Sequence, residues 1–330
     1  MPILVTGGAG YIGSHVTRML AEKGERIIVL DNLGLGHREA IVPGVELVET
    51  DISDSATVEW LFRDRKVEAV LHFAAFSLVG ESVAEPVKYY RNNSAHPLVL
   101  LDAMRRHGCD KFIFSSTAAT YGNPVRTPID EQHPQVPINP YGGSKLMLER
   151  VLADCVPAWG LRHVTLRYFN ACGCSDDALI GEDHTPETHL IPRTLLAVAG
   201  QESPLTVFGN DYPTPDGTCV RDYIHVLDLA EAHVRALTYL RDGGESVACN
   251  LGTGHGVSVQ EVIDLAESVT GKSVPRSQGP RRAGDPPVLV ADPALARRIL
   301  GWQAARPDPR EMISSAWRWI TGPRGGRYGS

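Results

Sequence analysis

The sequence predicts a doubly wound α/β fold, a parallel sheet with helices on both faces, joined to a smaller C-terminal α/β lobe. Three observations predict it. Short β-rich apolar runs alternate with helical patterns through the first half, a glycine-rich turn follows the first of those runs, and after about Asn170 the loops become rich in Gly, Pro, Asp and Thr. The candidate strands are 3–6, 26–30, 45–48, 69–73, 112–115 and 164–167. Helical patterns at 14–23, 56–65 and 97–107 lie between them, each long enough to cross from one parallel strand to the next, and such crossovers are right-handed. In such a fold ligands bind beyond the carboxyl ends of the strands. The expected division is 1–170 for the first domain and 171–330 for the second lobe, with 222–250 returning to the first domain and a strand and helix within 223–240 rejoining its sheet. The last residues, 322–330, are Gly/Arg-rich and are expected to fray.

Composition narrows the function. With 43% apolar and 22% charged residues the chain is neither disordered nor fibrous. No apolar run approaches the ~18 to 20 residues of a membrane-spanning helix, and the strand pattern begins at Ile3 with no basic leader before it, so the expectation is a cytoplasmic protein that is not exported and makes no membrane contact. Lys and Arg number 32 against 39 Asp and Glu, a net charge of -7, and only Arg281 and Arg282 cluster, which argues against a nucleic-acid partner. Six scattered cysteines read as reduced thiols. No C-x-x-C pair or His cluster has zinc-ligand spacing, so no metal is expected.

Residues 6–13 read TGGAGYIG, directly after the first strand and directly before the first helix. Gly7, Gly10 and Gly13 allow a tight turn, close approach of a pyrophosphate and packing of helix on strand, while the helix N-terminus offers free N–H groups and a partial positive charge. The second strand ends in Asp31, eighteen residues after Gly13, where a carboxylate would accept hydrogen bonds from an adenosine ribose. A negative charge there disfavours a ribose 2′-phosphate, so the expected cofactor is NAD and the first domain is a Rossmann-type NAD-binding unit. Asp51 and Ile52 close the third strand, and Phe73, Ala74 and Ala75 close the fourth, facing the same crevice. Each of these five reads equally well as an ordinary turn or core residue.

Asn139 and Pro140 mark a helix start, and a spacing of four puts Tyr141 and Lys145 on one face of that helix. Such a pair also occurs as a solvated surface feature; its position downstream of a dinucleotide loop points to chemistry. A nearby ammonium and a cationic nicotinamide both favour phenolate, and moving a tyrosine from about 10 to about 7 takes roughly 4 kcal/mol of differential stabilisation. A phenolate so tuned can take a proton from a substrate hydroxyl. Thr117, closing the strand that begins at Phe112, is the candidate hydrogen-bond relay, although a Thr at a strand end is ordinary.

Ten blocks, TGGAGYIG, DNL at 31, HFAA at 72, GESV at 80, FSSTAATYG at 114, YGGSK at 141, LRYFNACG at 166, VRDYIHV at 220, NLGTG at 250 and RRAGD at 281, together resemble the extended short-chain dehydrogenase/reductases, and among them the nucleotide-sugar 4-epimerases. The resemblance runs from Pro2 to about Trp319. It implies reversible epimerisation at C4 of a UDP-hexose through a transient 4-keto sugar, with Tyr141, Lys145 and Thr117 catalytic. It adds Tyr11, Ile12, Asn32, Ser77, Asn92, Lys145 and Phe169 to the NAD site. Thr117, Tyr141, Asn170, His189, Leu190, Thr206, Phe208, Arg221, Arg282, Asp285 and Leu289 would meet the UDP-sugar, with Arg221 and Arg282 on the diphosphate, Asp285 on a ribose hydroxyl and Phe208 against uracil. Members are often homodimers, here through the helices at 97–107 and 144–155.

Four positions depart from the family pattern. Thr117 replaces Ser but keeps the hydroxyl; Ser77 stands where some members carry Lys; His189 replaces an Asn that contacts the diphosphate; and Leu289, beside the sugar C2 substituent, is intermediate between an aromatic that narrows the pocket and a small residue that admits an N-acetyl group. A sibling lyase, a 4,6-dehydratase or a decarboxylase, shares the first oxidation. The dehydratase then needs an acid beside Thr117, where Ala118 and Ala119 stand. A catalytically silent NAD-binding protein would have no need of the Tyr/Lys pair and the hydroxyl at 117, all of which are present.

Overall fold

A computed structural model describes residues 1–282 and 285–329; Ala283 and Gly284, the middle of the RRAGD block, lie outside the described residues, as does Ser330. In chain order the strands are β1 (Ile3–Thr6), β2 (Ile27–Asp31), β3 (Glu46–Glu49), β4 (Ala69–His72), β5 (Lys111–Thr117), β6 (Arg162–Tyr168) and β7 (Asn170–Cys172). They continue as β8 (Leu205–Phe208), β9 (Val220–His225), β10 (Val247–Leu251), β11 (Gly256–Ser258), β12 (Arg276–Gly279) and β13 (Val288–Leu289). The helices are α1 (Tyr11–Glu22), α2 (Ser55–Trp60), α3 (Val79–Ala84), α4 (Pro86–Tyr90), α5 (Pro97–His107) and α6 (Pro140–Trp159). After these come α7 (Leu190–Ala199), α8 (Val226–Arg241), α9 (Val259–Thr270), α10 (Ala294–Leu300) and α11 (Pro309–Thr321). The helix predicted at 56–65 is α2 continued by a π-helical turn, Leu61–Arg65.

Seven strands form one parallel sheet in the order β10-β6-β5-β4-β1-β2-β3. The order reverses beside β1, between β2 and β4, which opens a crevice at the carboxyl ends of the strands. Alternation sends Ile3 and Val5 to one face with Val16 and Leu20 of α1 and Leu229 of α8, and Leu4 to the other with Leu100 of α5 and Leu148 of α6. β1, β2 and β4 are wholly buried, as strands covered on both faces must be.

The second half has its own core, in which α7, α9 and α11 meet around Leu195, Ile263 and Ile313. Its β9 pairs with β11, β13 and β7, and β8 pairs with β12. The strand expected at Tyr223 therefore belongs to this second sheet; the strand that rejoins the first sheet is β10, and α8 packs with it. Ala296 and Leu300 of α10 and the buried Trp302 also join the core of the first sheet, although they lie late in the chain. The tail departs from expectation as well. Tyr328 packs on Trp319 and His37 at centroid distances of 5.0 and 4.7 Å, and its hydroxyl accepts from Gly181 N at 3.0 Å, so aromatic burial anchors a segment that composition alone marks as loose. Among the described residues no helix is long and apolar enough to cross a membrane.

Candidate active site

The glycine loop leaves β1 at the centre of the crevice. Gly7 has a φ of +74°, and a Cβ there would lie 2.5 Å from the Ala74 nitrogen; at Gly13 it would lie 2.2 Å from the Gly7 carbonyl oxygen. Glycine is thus required for both the turn and the close packing. Gly10 caps α1 without any side chain, and no acidic residue lies in its first turn, so the helix N-terminus keeps its N–H groups and partial charge for an anion. The Asp31 carboxylate accepts from Ala9 N and Leu33 N, both at 2.9 Å. Burial raises its pKa and these two N–H groups pull it back. Asn32 donates to Asp51 at 2.8 Å, linking the ends of β2 and β3. A glycine-only cradle, an uncapped helix end and a carboxylate beside it fit a dinucleotide.

Other predicted cofactor residues are distributed more widely. Ala74 closes on Gly7, and Ala75 and the exposed Ser77 follow on the same loop. Ile12 and Phe73 pack on the first core, with the Phe73 ring 4.7 Å from that of His233, and Ile52 is 4% exposed. Their side chains serve packing and leave the backbone to face the crevice. Tyr11 spends its hydroxyl on Gly173 O at 2.7 Å, tying the loop to the second half. Phe169 follows β6, and Asn92 sits in a π-helical turn (Arg91–Ala95) before α5, where it donates to Asn93, which bonds in turn to Phe76 in the loop after β4 and to Ser144 of α6.

The reactive group assembles where α6 meets β5. Asn139 accepts from Gly142 N at 2.9 Å and Pro140 opens the helix, as its sequence predicts. A Cβ on Gly142 would lie 2.4 Å from Ala119 O, and one on Gly143 2.5 Å from the Tyr90 hydroxyl, so the two glycines between Tyr141 and Lys145 let α6 settle against the turn after β5 and against α4. Tyr141, Lys145 and Thr117 are all buried there. Lys145 donates to Ser115 O at 3.0 Å and lies 5.0 Å from the Phe114 ring centroid.

Burial sets the electrostatics of this group in the protein alone. Burial lowers Lys145 to about 7, against a smaller opposing pull from Glu149. Burial likewise raises the Tyr141 phenol, with the Thr117 hydroxyl acting in the opposite direction. In the protein alone, then, burial works against charge on both groups. The expected lowering of the phenol rests on two cations, and the nicotinamide brings the second only when NAD is bound.

Among the predicted substrate residues, β9 gathers one group. Arg221 donates to the carbonyls of Val220 and Pro286, each at 2.9 Å, and pairs with Asp285 at 3.2 Å; Leu289 lies opposite it in the strand register, and Asn170 donates to Asp222 O at 3.0 Å. A second group lies on β8, where Thr206 and Phe208 pair with β12 and the Arg282 guanidinium sits 4.0 Å from the Phe208 ring centroid. Asp285 N donating to Arg282 O at 3.3 Å joins the two. One face of Phe208, expected against uracil, is thus covered by Arg282. Leu190 begins α7, with His189 as its N-cap.

His189 departs further from expectation. Its Nδ1 lies 2.8 Å from Glu182 and 3.0 Å from Glu187. Burial would push the imidazole down, but these carboxylates hold it well above its usual value. With His184 they form a cluster of four potential metal ligands, which a reading confined to Cys and His spacing overlooked. Also unread in the sequence was the support beneath Thr117: Glu149 accepts from Ser116 at 2.5 Å and pairs with Arg167 at 2.6 Å, and Arg167 donates to the Tyr121 hydroxyl at 2.9 Å. Glu149 stands four residues after Lys145, one helical turn along the same face, which is the signal that could have found it.

A dinucleotide cradle and a buried Tyr/Lys/hydroxyl group at the mouth of one parallel sheet define a short-chain oxidoreductase-type enzyme. The model of the NAD dependent epimerase/dehydratase family matches residues 3–252. The chain is 50% identical over 319 residues to the UDP-glucose 4-epimerase of Lacticaseibacillus casei, covering 97% of this chain and 96% of that one, and 51% identical over 317 residues to that of Rhizobium meliloti, covering 96% of each. Among solved structures it resembles a Brucella ovis UDP-glucose 4-epimerase in complex with NAD (TM-score 0.93, 51% identity, 96% of this chain and 97% of that one). A Bifidobacterium longum UDP-glucose 4-epimerase in complex with NAD+ and UDP is also similar (TM-score 0.94, 40% identity, 99% and 100%). The chain belongs to the NAD dependent epimerase/dehydratase family.

Proposed function

We propose that the protein interconverts UDP-glucose and UDP-galactose by inverting C4. The observation that carries this reading is the buried group of Tyr141, Thr117 and Lys145 at the crevice, with Ala118 and Ala119 beside Thr117 where an eliminating enzyme needs an acid. NAD, when bound, supplies a reversible hydride acceptor, so that a C4 carbinol can become a 4-keto sugar and return with no net redox. Tyr141 takes the 4-hydroxyl proton and later gives it back, Thr117 holds that hydroxyl in line, and Lys145 adds charge below the phenol. Arg221 and Arg282 hold the diphosphate and Asp285 the ribose, so that affinity comes from the nucleotide while the sugar is free to turn over.

The test is an equilibrium assay on UDP-glucose, with and without added NAD and with products separated by chromatography. UDP-galactose is the expected product, and no conversion under either condition overturns the reading. Leu289, at the position expected beside the sugar C2 substituent, is intermediate between a narrowing aromatic and a small residue, so UDP-N-acetylglucosamine is the second substrate to offer. Leu289→Tyr lowers that activity at least about tenfold more than activity on UDP-glucose, a difference of ~1.4 kcal/mol in transition-state binding; an equal fall on both substrates contradicts this pocket assignment. The same reading makes the protein a cytoplasmic homodimer. Support comes from the unpaired cysteines and from large apolar side chains exposed on adjoining helices, Leu98 on α5, Met147 on α6, and Val87 and Tyr90 on α4.

A further inference from the structure

We propose that Glu182, His184, Glu187 and His189 form a binding site for one divalent transition-metal ion, with zinc the best match. The inference is independent of the epimerase reading. Each residue contributes one ligand atom, and the four atoms lie within 4.8 Å of one another. Ligands held ~2.0–2.1 Å from a tetrahedral ion stand roughly 3.3 Å apart. His184 Nδ1 lies 3.3 Å from Glu182 and 3.5 Å from Glu187, while His189 Nδ1 lies 2.8 and 3.0 Å from the same two carboxylates. A mixed imidazole and carboxylate set with this compactness suits zinc better than calcium or magnesium, which need more oxygen ligands.

A second observation points to a missing partner. The Nδ1 atom of His184 is fully buried and makes no hydrogen bond, although both carboxylates are near it. Its separations of 3.3 and 3.5 Å from the two carboxylates are long for hydrogen bonds and match the spacing of two ligands on a common ion. The Glu182 and Glu187 side chains are themselves buried, so an ion here would be held with little competing water. The outer contacts are those of a built site. Glu187 accepts from the backbone N–H groups of Thr188 and His189 at 2.6 and 2.7 Å, and Trp319 Nε1 donates to Glu182 O at 2.8 Å. A cavity of about 110 Å³, lined by Glu182, His184, Glu187 and Trp319, gives an ion access. An ion here would bind the start of α7 to the segment beside Tyr11 of the glycine loop.

The test uses tag-free full-length protein, stripped with a chelator and titrated with Zn²⁺ alone by calorimetry and with Co²⁺ by visible absorption. The expected result is one ion per chain and the intense Co²⁺ bands of four-coordinate geometry. Glu187→Gln, which retains an oxygen for the two backbone donors, and His184→Ala each weaken Zn²⁺ binding by at least about tenfold. Glu202→Gln, on the same cavity but outside the cluster, leaves it unchanged. Less than half an equivalent of bound Zn²⁺, a weak octahedral Co²⁺ spectrum, or equal affinity in the wild type and both cluster variants would overturn the assignment. The wild-type titrations decide the question even if a cluster variant does not fold.

Discussion

At Lys145 the protein holds an ammonium where burial disfavours one, and the consequence is a pH-dependent stability. Below pH about 7 the lysine is charged in both folded and unfolded chains and the full desolvation cost is present. Between about 7 and 10.5 the unfolded chain binds a proton that the folded chain does not, so stability rises with pH through that window. The shift sets an upper bound of roughly 5 kcal/mol on the cost. Lys145→Met should therefore raise the melting temperature of the cofactor-free protein by several degrees at about pH 6, with the gain shrinking towards pH 10.5, and should lower kcat by about 10²-fold or more. A melting gain that does not vary with pH would contradict the burial argument. Tyr141→Phe removes the proton acceptor and little volume. Epimerisation should fall by about 10²–10⁴-fold while calorimetry still detects UDP-glucose binding, and substantial residual turnover would exclude Tyr141 as the base.

Glycines decide how closely elements approach. Gly13→Ala forces a Cβ to 2.2 Å from the Gly7 carbonyl, a backbone contact that no rotamer change relieves. It should cost about 1–3 kcal/mol of stability in denaturant titrations and weaken NAD binding at least about tenfold; unchanged affinity would mean that the loop does not carry the cofactor. The elements legible in the sequence were those with strong local signals. β1 and α5 fall within the predicted bounds because a buried apolar run, and a Pro start with a Gly stop, specify their own ends. β9 was assigned to the wrong sheet because its apolar pattern says that it is buried and not which strand it pairs with. The charged pair Glu149 and Arg167 was unread for a related reason: 18 residues apart in sequence, they meet only when α6 packs on β6.

For the whole molecule, exposed apolar side chains on α4, α5 and α6 form the surface expected to join two copies. Met147→Glu combined with Leu98→Glu should give a monomer by sedimentation at micromolar concentration, with NAD binding retained because both side chains are exposed and neither is among the residues expected to hold the cofactor; an unchanged dimer would exclude this surface. By itself the sequence determined the alternation of strands and helices in the first half, the glycine turn with Asp31, and the Tyr141/Lys145 spacing, because each depends on residues close together in the chain. Tertiary structure decided what required distant residues to meet: the discharge of Lys145 by burial, Arg282 over Phe208, Tyr328 against His37, and the union of Glu182, His184, Glu187 and His189. Charge and hydrogen bonding act over a few ångströms, and only the folded backbone sets those distances.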